Sequence, residues 1–289
     1  MGFDFIAKPF GILMEFIYNT LAFQNYGIAI LIFTVIIKIL LMPLQIKQQR
    51  SMIKQQEIQP ELQELQKTYA NDRTKLAEEQ QKLYAKYNIS MTAGCLPLLI
   101  QFPLIMALYQ IIRQPLTYIS GLSATAISKI AEVLGFNAMN ELQINNALIK
   151  DSSLLEKVSE WISQSDIINM NFLKIFDLGE TPAFNPKTIM SDPGLYLPLL
   201  LIPILSGVSA ILMQRLSMAK TNKNKKEEKK QEGPNVANGM MKVMPIMSFV
   251  IAFTVPAGLG LYWTISNVLS MGQMALINRI IAKQKEGRL

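Results

Sequence analysis

The chain has 289 residues, half of which are hydrophobic, and a formal net charge of +7. It contains no histidine and a single cysteine, Cys95. Histidine-based acid–base catalysis, histidine metal ligands, Ser-His triads and an intrachain disulfide are therefore excluded. The hydrophobic residues fall in blocks of about 20, the length at which a helix crosses a hydrocarbon core of about 30 Å. We expect an all-α polytopic membrane protein that is not an enzyme and has no metal or cofactor site.

The N-terminal segment, residues 1–25, precedes the first apolar block. It contains one lysine and two acidic residues, a composition that does not match a cleaved signal peptide. Its apolar residues follow a helical spacing, which predicts an amphipathic helix lying in the membrane interface. An uncleaved signal anchor is the alternative interpretation. The helical stripe consists of Phe10, Leu13, Met14, Ile17 and Leu21.

Five transmembrane helices are predicted from the apolar blocks. The last block, 243–278, would measure about 54 Å as a single helix, which is too long for one crossing. The turn-forming residues Pro256, Gly258 and Gly260 lie in its middle and divide it into two short spans. The predicted spans are 26–46, 93–115, 195–216, 243–257 and 258–278.

The distribution of basic residues between the spans predicts the orientation. Segments 47–90 and 217–242 carry eight and seven Lys/Arg, and the tail after residue 278 carries four. Segment 113–194 carries six Lys/Arg against nine Asp/Glu. Because basic loops stay on the cytoplasmic side, we expect the N-terminus outside and the C-terminus in the cytoplasm.

Segment 47–92 is predicted to form a folded element of its own. Ile58, Leu62 and Leu65 make one helical stripe, and a second stripe follows the turn that precedes Arg73. Asp72 is positioned to cap the second helix. We therefore predict a charged helical hairpin that projects into the cytoplasm. A hairpin that only packs on itself is the alternative interpretation.

Three further segments complete the predicted domain organisation. Residues 116–194 form an extracytoplasmic insertion with helical patterns and no assignable chemistry, and shortening 119–193 is expected to spare function. Residues 217–242 form a basic cytoplasmic loop that faces lipid. Residues 279–289 form a basic cytoplasmic tail.

Lys38 lies near the middle of the first predicted span, among apolar neighbours. An ammonium near the bilayer centre costs roughly 2.5–3.5 kcal/mol on insertion scales. Snorkelling relieves part of this cost, because the inner interface lies about 12 Å further along the helix and a lysine stem covers about half of that. The alternative is that Lys38 faces a water-filled cavity. The residues alone leave both interpretations open.

The predicted spans contain no Asp or Glu, so no carboxylate within them can pair with Lys38. The remaining possible partners of Lys38 are neutral polar side chains, water, or an anionic group of another molecule, such as an acidic polypeptide segment or a lipid headgroup. The neutral candidates within the spans are Thr34, Gln101, Gln110, Ser206, Ser209, Gln214, Thr264, Ser266, Asn267 and Gln273.

Four stretches occur in a distinctive order. They are TVIIKILLMPLQIKQQRSMIKQQEIQPELQELQKTY from Thr34, GCLPLLIQFPLIMALY (94–109), DPGLYLPLLLIPILSGVSAILMQ (192–214) and VPAGLGLYWTISNVLSMGQMALINR (255–279). Together they resemble the conserved spans of the YidC-type membrane protein insertases, the YidC/Oxa/Alb family. The resemblance implies five core helices around a hydrophilic groove that is open to the cytoplasm and to lipid.

The resemblance also implies a set of groove residues. A family arginine on the first span corresponds to Lys38, which keeps the charge but lacks the bidentate fork. Gln214 and Trp263 join the groove by resemblance, with an ordinary interface tryptophan as the alternative for Trp263. The candidate substrate-binding residues are Lys38, Thr34, Gln101, Gln214, Trp263 and Asn267.

The implied function is to carry short polar tails of nascent membrane protein clients into the bilayer and to release their apolar segments into lipid. The implied partners are the clients, membrane lipids, the ribosome and the Sec translocon, with a monomer sufficing. A secondary transporter or channel is the alternative, and it predicts inverted repeats and ionisable residues on several spans. An intramembrane Ser/Lys hydrolase would need a nucleophile elbow, and no such motif is apparent.

Overall fold

The structure is a computed structural model, and it describes residues 4–89, 96–219 and 246–285. The described part of the chain is mostly helical, in agreement with the predicted all-α class. The chain divides into two units. We call Met1–Ile37 with Pro103–Met271 the bundle unit, and Lys38–Phe102 with Gly272–Leu289 the hairpin unit.

Helix α1 (Asp4–Thr20) begins the bundle unit and has two apolar faces. Met14 and Ile17 are fully buried, and the rings of Phe10 and Phe33 meet edge to face at 5.9 Å between centroids. The helix ends at Thr20, so Leu21, the last residue of the predicted stripe, lies beyond it. Its position in the membrane interface stays a prediction. The exposed apolar side chains of α1 are Phe5, Ile12 and Phe16.

Helix α2 (Tyr26–Leu40) ends at Leu40 rather than at residue 46, the predicted end of the first span. Helix α3 (Met42–Glu57) begins after a break at Leu41, with Pro43 in its first turn. Proline has no amide hydrogen, so it cannot donate to a carbonyl of the preceding turn and is favoured where a new helix starts. The helical bonding resumes where the amide of Gln45 donates to the carbonyl of Leu41 at 3.0 Å.

By length and composition, one helical stretch of the described residues can cross a membrane, Pro193–Ser217. It combines α12 (Pro193–Leu199) and α13 (Leu201–Ala219) and coincides with the predicted span 195–216. Helices α2 and α3 count as a second candidate if the bent pair is taken as one span. The arrangement of five spans therefore stays a prediction.

The remaining predicted spans correspond to shorter or more polar helices. Helix α6 (Leu96–Arg113) matches the second predicted span, whose residues 93–95 lie outside the described residues. Helix α14 spans 246–251, and α15 (Ala257–Lys285) follows a turn that ends at Pro256. The helix before the turn ends at residue 251 and not at the predicted 257, and Gly258 and Gly260, predicted as turn residues, lie in the first turn of α15. Helix α15 continues to Lys285, beyond the predicted end of its span at residue 278.

Small residues allow close helix packing within the bundle unit. A Cβ on Gly207 of α13 would lie 3.2 Å from the side chain of Phe249 in α14. A Cβ on Gly260 of α15 would lie 2.6 Å from Cγ2 of Ile202. Such close approach is typical of membrane helices, where packing rather than the hydrophobic effect drives association.

The predicted insertion folds around a core of its own. Helix α9 is amphipathic and buries Ile144 completely against residues of α8 and α10, among them Ile130. The sequence analysis predicted helices here but missed a two-stranded antiparallel sheet, because strands of two residues show no periodicity. The elements are α7 (Pro115–Tyr118), α8 (Ala124–Leu134), α9 (Glu141–Lys150), α10 (Ser152–Val158), a 3₁₀ turn (Gln164–Asp166), β1 (Asn171–Phe172), β2 (Phe176–Asp177) and α11 (Pro186–Ser191).

The hairpin unit contains α3, α4 (Gln59–Thr68) and α5 (Arg73–Lys86). The predicted cap is confirmed, because Asp72 accepts a hydrogen bond from the amide of Lys75 at 3.0 Å. A small core between α4 and α5 consists of Ile58, Leu62, Leu83 and Ile89, with Leu65 and Tyr84 packed against it.

Parts of two predicted segments lie outside the described residues. They are most of the basic loop 217–242 and residues 286–289 of the basic tail. Both stay predictions.

Candidate functional site

The six predicted groove residues divide between the two units. Lys38 and Gln101 belong to the hairpin unit, on α2 and α6. The other four belong to the bundle unit, and each lies on a helix that carries a predicted span. Those four are Thr34, Gln214, Trp263 and Asn267.

Lys38 lies in the last turn of α2, two residues before the helix ends. The last four carbonyls of a helix have no partner within it, and they carry a partial negative charge. The side-chain amide of Gln273 on α15 donates to the Lys38 carbonyl at 3.1 Å and satisfies one of these groups. The break at Leu41 therefore puts Lys38 in the last turn of a helix, a position that favours a cation by about 0.3–1 kcal/mol at exposed sites.

The side chains of Lys38, Gln101 and Gln214 are all partly exposed. Each therefore has surface available for contact with another molecule. Sequence analysis predicted these three as groove residues, and this exposure is compatible with that role.

Thr34 lies one turn before Lys38 on α2 and is 1% exposed. Its hydroxyl donates to the carbonyl of Ile30 at 2.6 Å. Both observations indicate that the hydroxyl serves the α2 backbone in this conformation. Direct contact between Thr34 and a client finds no support in this geometry.

A polar contact joins α15 to α13 within the bundle unit. The side-chain amide of Asn267 donates to Oγ of Ser209 at 3.1 Å, and that hydroxyl donates to the carbonyl of Ser206 at 2.9 Å. Oγ of Ser206 is itself buried and has no hydrogen-bond partner among the described residues. Trp263 lies one turn before Asn267 on α15 and is partly buried. Asn267 thus holds two helices together, and its remaining surface is partly exposed.

Sequence analysis named Gln273 and Ser209 only as polar residues within spans, and did not include them in the site. For Gln273, the signal in the sequence that could have singled it out is spacing. Gln273 lies seven residues after Ser266, so these two polar groups share a face of α15. Their partners could not be predicted, because Gln273 bonds a backbone group 235 residues away.

The buried carboxylates of the bundle unit lie in the insertion and not in a predicted span. Glu141 is 2% exposed and accepts hydrogen bonds from the amide and hydroxyl of Thr117 at 2.9 and 2.5 Å. Burial raises the pKa of Glu141, and the bonds from Thr117 offset part of that rise. Burial likewise raises the pKa of Asp177 in β2. Both carboxylates accept hydrogen bonds within the insertion, Glu141 from Thr117 and Asp177 from the amide of Gly179. The described residues contain no cluster of three or more potential metal ligands.

A comparison with known protein families assigns most of the chain. Residues 16–285 match the model of the family described as 60Kd inner membrane protein. The chain belongs to this family. The matched range covers α2, which carries Lys38, and the part of α15 that carries Trp263 and Asn267. The predicted relationship to the YidC-type insertases is confirmed, and the chain is a membrane protein.

Several curated relatives within the family bear the name membrane protein insertase YidC. The protein of Rickettsia bellii is 31% identical over 278 residues, 96% of this chain and 39% of its own length. That of Oleidesulfovibrio alaskensis is 27% identical over 94% of this chain and 38% of its own length. That of Fusobacterium nucleatum is 28% identical over 88% of this chain and 86% of its own length. The chain thus spans about two fifths of the length of the first two relatives and most of the third.

Proposed function

We propose that the chain is a membrane protein insertase. It receives the short polar tail of a client in a positively charged hydrophilic groove and releases the client's apolar segment sideways into lipid. The observation that carries the proposal is the family match over residues 16–285 together with relatives named as insertases. The residues proposed to line the groove are Lys38, Gln101, Gln214, Trp263 and Asn267.

The mechanism is physical and needs no bond to be made or broken. A polar tail that crosses bare hydrocarbon loses its water, and a wet groove within the membrane lowers that cost. The Lys38 ammonium attracts acidic residues of the tail. Transfer of the client's apolar segment into lipid then contributes about 25 cal/mol per Å² of buried apolar surface.

The proposed orientation puts the N-terminus outside and the C-terminus in the cytoplasm of a bacterial inner membrane. The basic segments 47–90 and 217–242 support it, since basic loops stay in the cytoplasm. The helices α4 and α5 then meet clients in the cytoplasm. The ribosome and the Sec translocon are proposed as further partners, and a monomer is proposed to suffice.

The test is client insertion into liposomes that contain the purified full chain. The client has a single span and a short acidic tail, and protease protection of the tail measures insertion. We expect Lys38→Arg to insert as well as the parent protein and Lys38→Leu to insert much less, because leucine removes the charge that attracts the tail. Lys8→Leu in α1 is the matched control, since it removes an exposed positive charge outside the proposed groove.

A second client with a neutral tail separates charge attraction from general damage. We expect Lys38→Leu to insert this client nearly as well as the parent protein does. If Lys38→Leu inserts both clients as the parent does, the charge-attraction mechanism is wrong and a thinned, wet path suffices. If the parent inserts neither client, the insertase proposal for the isolated chain is wrong.

A further inference from the structure

The segment that follows the 3₁₀ turn of the insertion makes backbone contacts with the start of α2. The amide of Tyr26, the first residue of α2, donates to the carbonyl of Asn169 at 3.1 Å. The side-chain amide of Asn25 donates to the carbonyl of Asn171 at 2.9 Å. The first amides of a helix have no partner within it, so this segment satisfies groups at the N-terminus of α2.

The same segment fills a notch in α2. Gly27 is buried, and a Cβ at this position would lie 2.2–2.8 Å from the side-chain atoms of Phe172, down to its Cβ. The base of the side chain is involved as well as the ring, so a rotamer change of Phe172 alone would not relieve the clash. Glycine at residue 27 therefore lets β1 lie directly on the first turn of α2.

Nine residues further along, the segment reaches the start of α15. The amide of Ala257, the first residue of α15, donates to the carbonyl of Glu180 at 2.8 Å, and the amide of Gly258 donates to the carbonyl of Leu178 at 2.9 Å. Leu178 is fully buried, and its own amide donates to the carbonyl of Met170 at 2.9 Å, which closes the base of the β-hairpin. One short segment thus bonds the N-terminal amides of two helices.

The tip of this hairpin has an unfavourable backbone. Leu173 and Lys174 have φ values of 55° and 59°, in the left-handed region that favours glycine and asparagine. Such a conformation persists only where surrounding contacts determine it. Leu173 is 64% exposed, so packing of its side chain does not determine this conformation; the turn is closed by the amide of Ile175, which donates to the carbonyl of Phe172 at 3.2 Å.

The two helices held by this segment carry most of the proposed groove. Helix α2 carries Lys38, and helix α15 carries Trp263 and Asn267. We infer that residues 169–180 form a clasp that holds the first turns of α2 and α15 together and closes the client path at that end of the two helices. This inference rests on the proposed function, which puts that end on the extracytoplasmic side.

The clasp also divides the insertion into parts with different roles. Residues 122–163, with α8, α9 and α10, contain none of the groups that bond Tyr26, Ala257 or Gly258. The expectation that shortening 119–193 spares function therefore applies only to deletions that leave the clasp in place.

The test uses the full chain in liposomes loaded with a self-quenching dye, and it measures dye efflux besides client insertion. We expect Gly27→Ala and Phe172→Ala each to raise efflux severalfold, because each separates the clasp from α2. In a Phe172→Gly background, Gly27→Ala should add little, since no side-chain atom at residue 172 remains to meet the added methyl. A role confined to fold stability would lower insertion in these variants without this pattern of efflux.

Two controls match these changes. Gly272→Ala adds the same methyl to α15 where nothing lies within 4 Å of it. Ile175→Ala truncates an apolar side chain of the same hairpin that is 54% exposed. Both should leave efflux at the parent level. Efflux that rises equally in a control, or that stays at the parent level in both clasp variants, overturns the inference.

If the variants fail to fold, hydrogen exchange measured on the parent protein provides an independent test. The clasp predicts slow exchange at the amides of Tyr26, Ala257 and Gly258, with all three speeding up together when an acidic-tail client is added. Exchange at the rate of an open loop without client, or no change on adding client, contradicts the clasp. If the parent protein inserts no client, the proposed function is contradicted. Its dye efflux and its hydrogen exchange without client would still show whether the clasp closes the path.

Discussion

The hairpin of α4 and α5 and the insertion of residues 116–194 differ in what holds them together. Sequence analysis described both as amphipathic helices outside the membrane. In the hairpin, four buried apolar residues form the core. In the insertion, nine buried residues form a core that is reinforced by buried polar groups such as Asn145.

The polar contacts of the two regions also differ, because those of the hairpin are exposed and those of the insertion are buried. In the hairpin, α4 and α5 are joined by exposed polar groups, since Tyr87 donates to Glu61 at 2.5 Å and Lys86 lies 3.8 Å from the same carboxylate. Exposed ion pairs contribute about 0–1 kcal/mol. In the insertion, Asn145 is fully buried and bonds both backbone groups of Ile168. The comparison teaches that few buried contacts join α4 and α5, so we expect the hairpin to open at lower cost than the insertion, whose core includes buried polar bonds.

The largest expected difference between the two regions comes from core truncation. Ile144→Ala removes a fully buried side chain from the insertion and should cost about 2–5 kcal/mol of unfolding free energy. Leu62→Ala in the hairpin should fall at or below the low end of that range, because its smaller core can collapse around the gap. Urea titration with limited proteolysis of each region measures both. Equal losses for the two variants would remove the distinction.

The next effect concerns the buried amide. Asn145→Ala leaves the amide and the carbonyl of Ile168 without their partners, at about 1–3 kcal/mol for a buried unsatisfied group. Gln143→Ala, exposed on the same helix, is the control and should change stability little. The readout is protease resistance of residues 116–194. If both variants resist proteolysis equally, the polar contacts of the insertion do not determine its rigidity.

A smaller effect is expected at the helix cap of the hairpin. Asp72→Ala removes the bond to the Lys75 amide and should destabilise the hairpin by about 1 kcal/mol. Asn71→Ala, in the same turn, serves as the control. Hydrogen exchange at the first turn of α5 should speed up only in the Asp72 variant. Unchanged exchange there would mean that tertiary packing alone starts the helix.

The smallest effect is a pH dependence confined to the insertion. The pKa of Glu141 is raised in the folded state, so the folded state binds its proton more tightly than the unfolded state does. The corresponding stability is present below the ordinary glutamate pKa and is lost as the pH rises through the raised value. Glu141→Gln should therefore gain stability relative to the parent as the pH rises through this window, as followed by thermal melting. Glu132→Gln, exposed on α8, is the control, and the same slope in both variants would rule out Glu141 as the source.

Some features of the site could be read from the sequence, and others could not. The position of Lys38 in an apolar segment, the cap at Asp72 and the turn before α15 depend on neighbours a few residues away. The bond between Asn267 and Ser209 and the burial of Thr34 depend on which helices meet. Helical periodicity does not contain that information, because it shows which face is apolar but not what covers that face.

By itself, the sequence determined that this is a helical membrane protein, and the order of four motifs indicated its family. Long apolar segments must bond their own backbone groups in lipid, and basic loops stay in the cytoplasm, so composition and order suffice for that conclusion. Only the tertiary structure decided that α2 ends at Leu40, that Gln273 bonds the carbonyl of Lys38, and that a hairpin near Phe172 bonds the starts of two helices. These features join residues far apart in the chain, and their geometry exists only after the helices have packed.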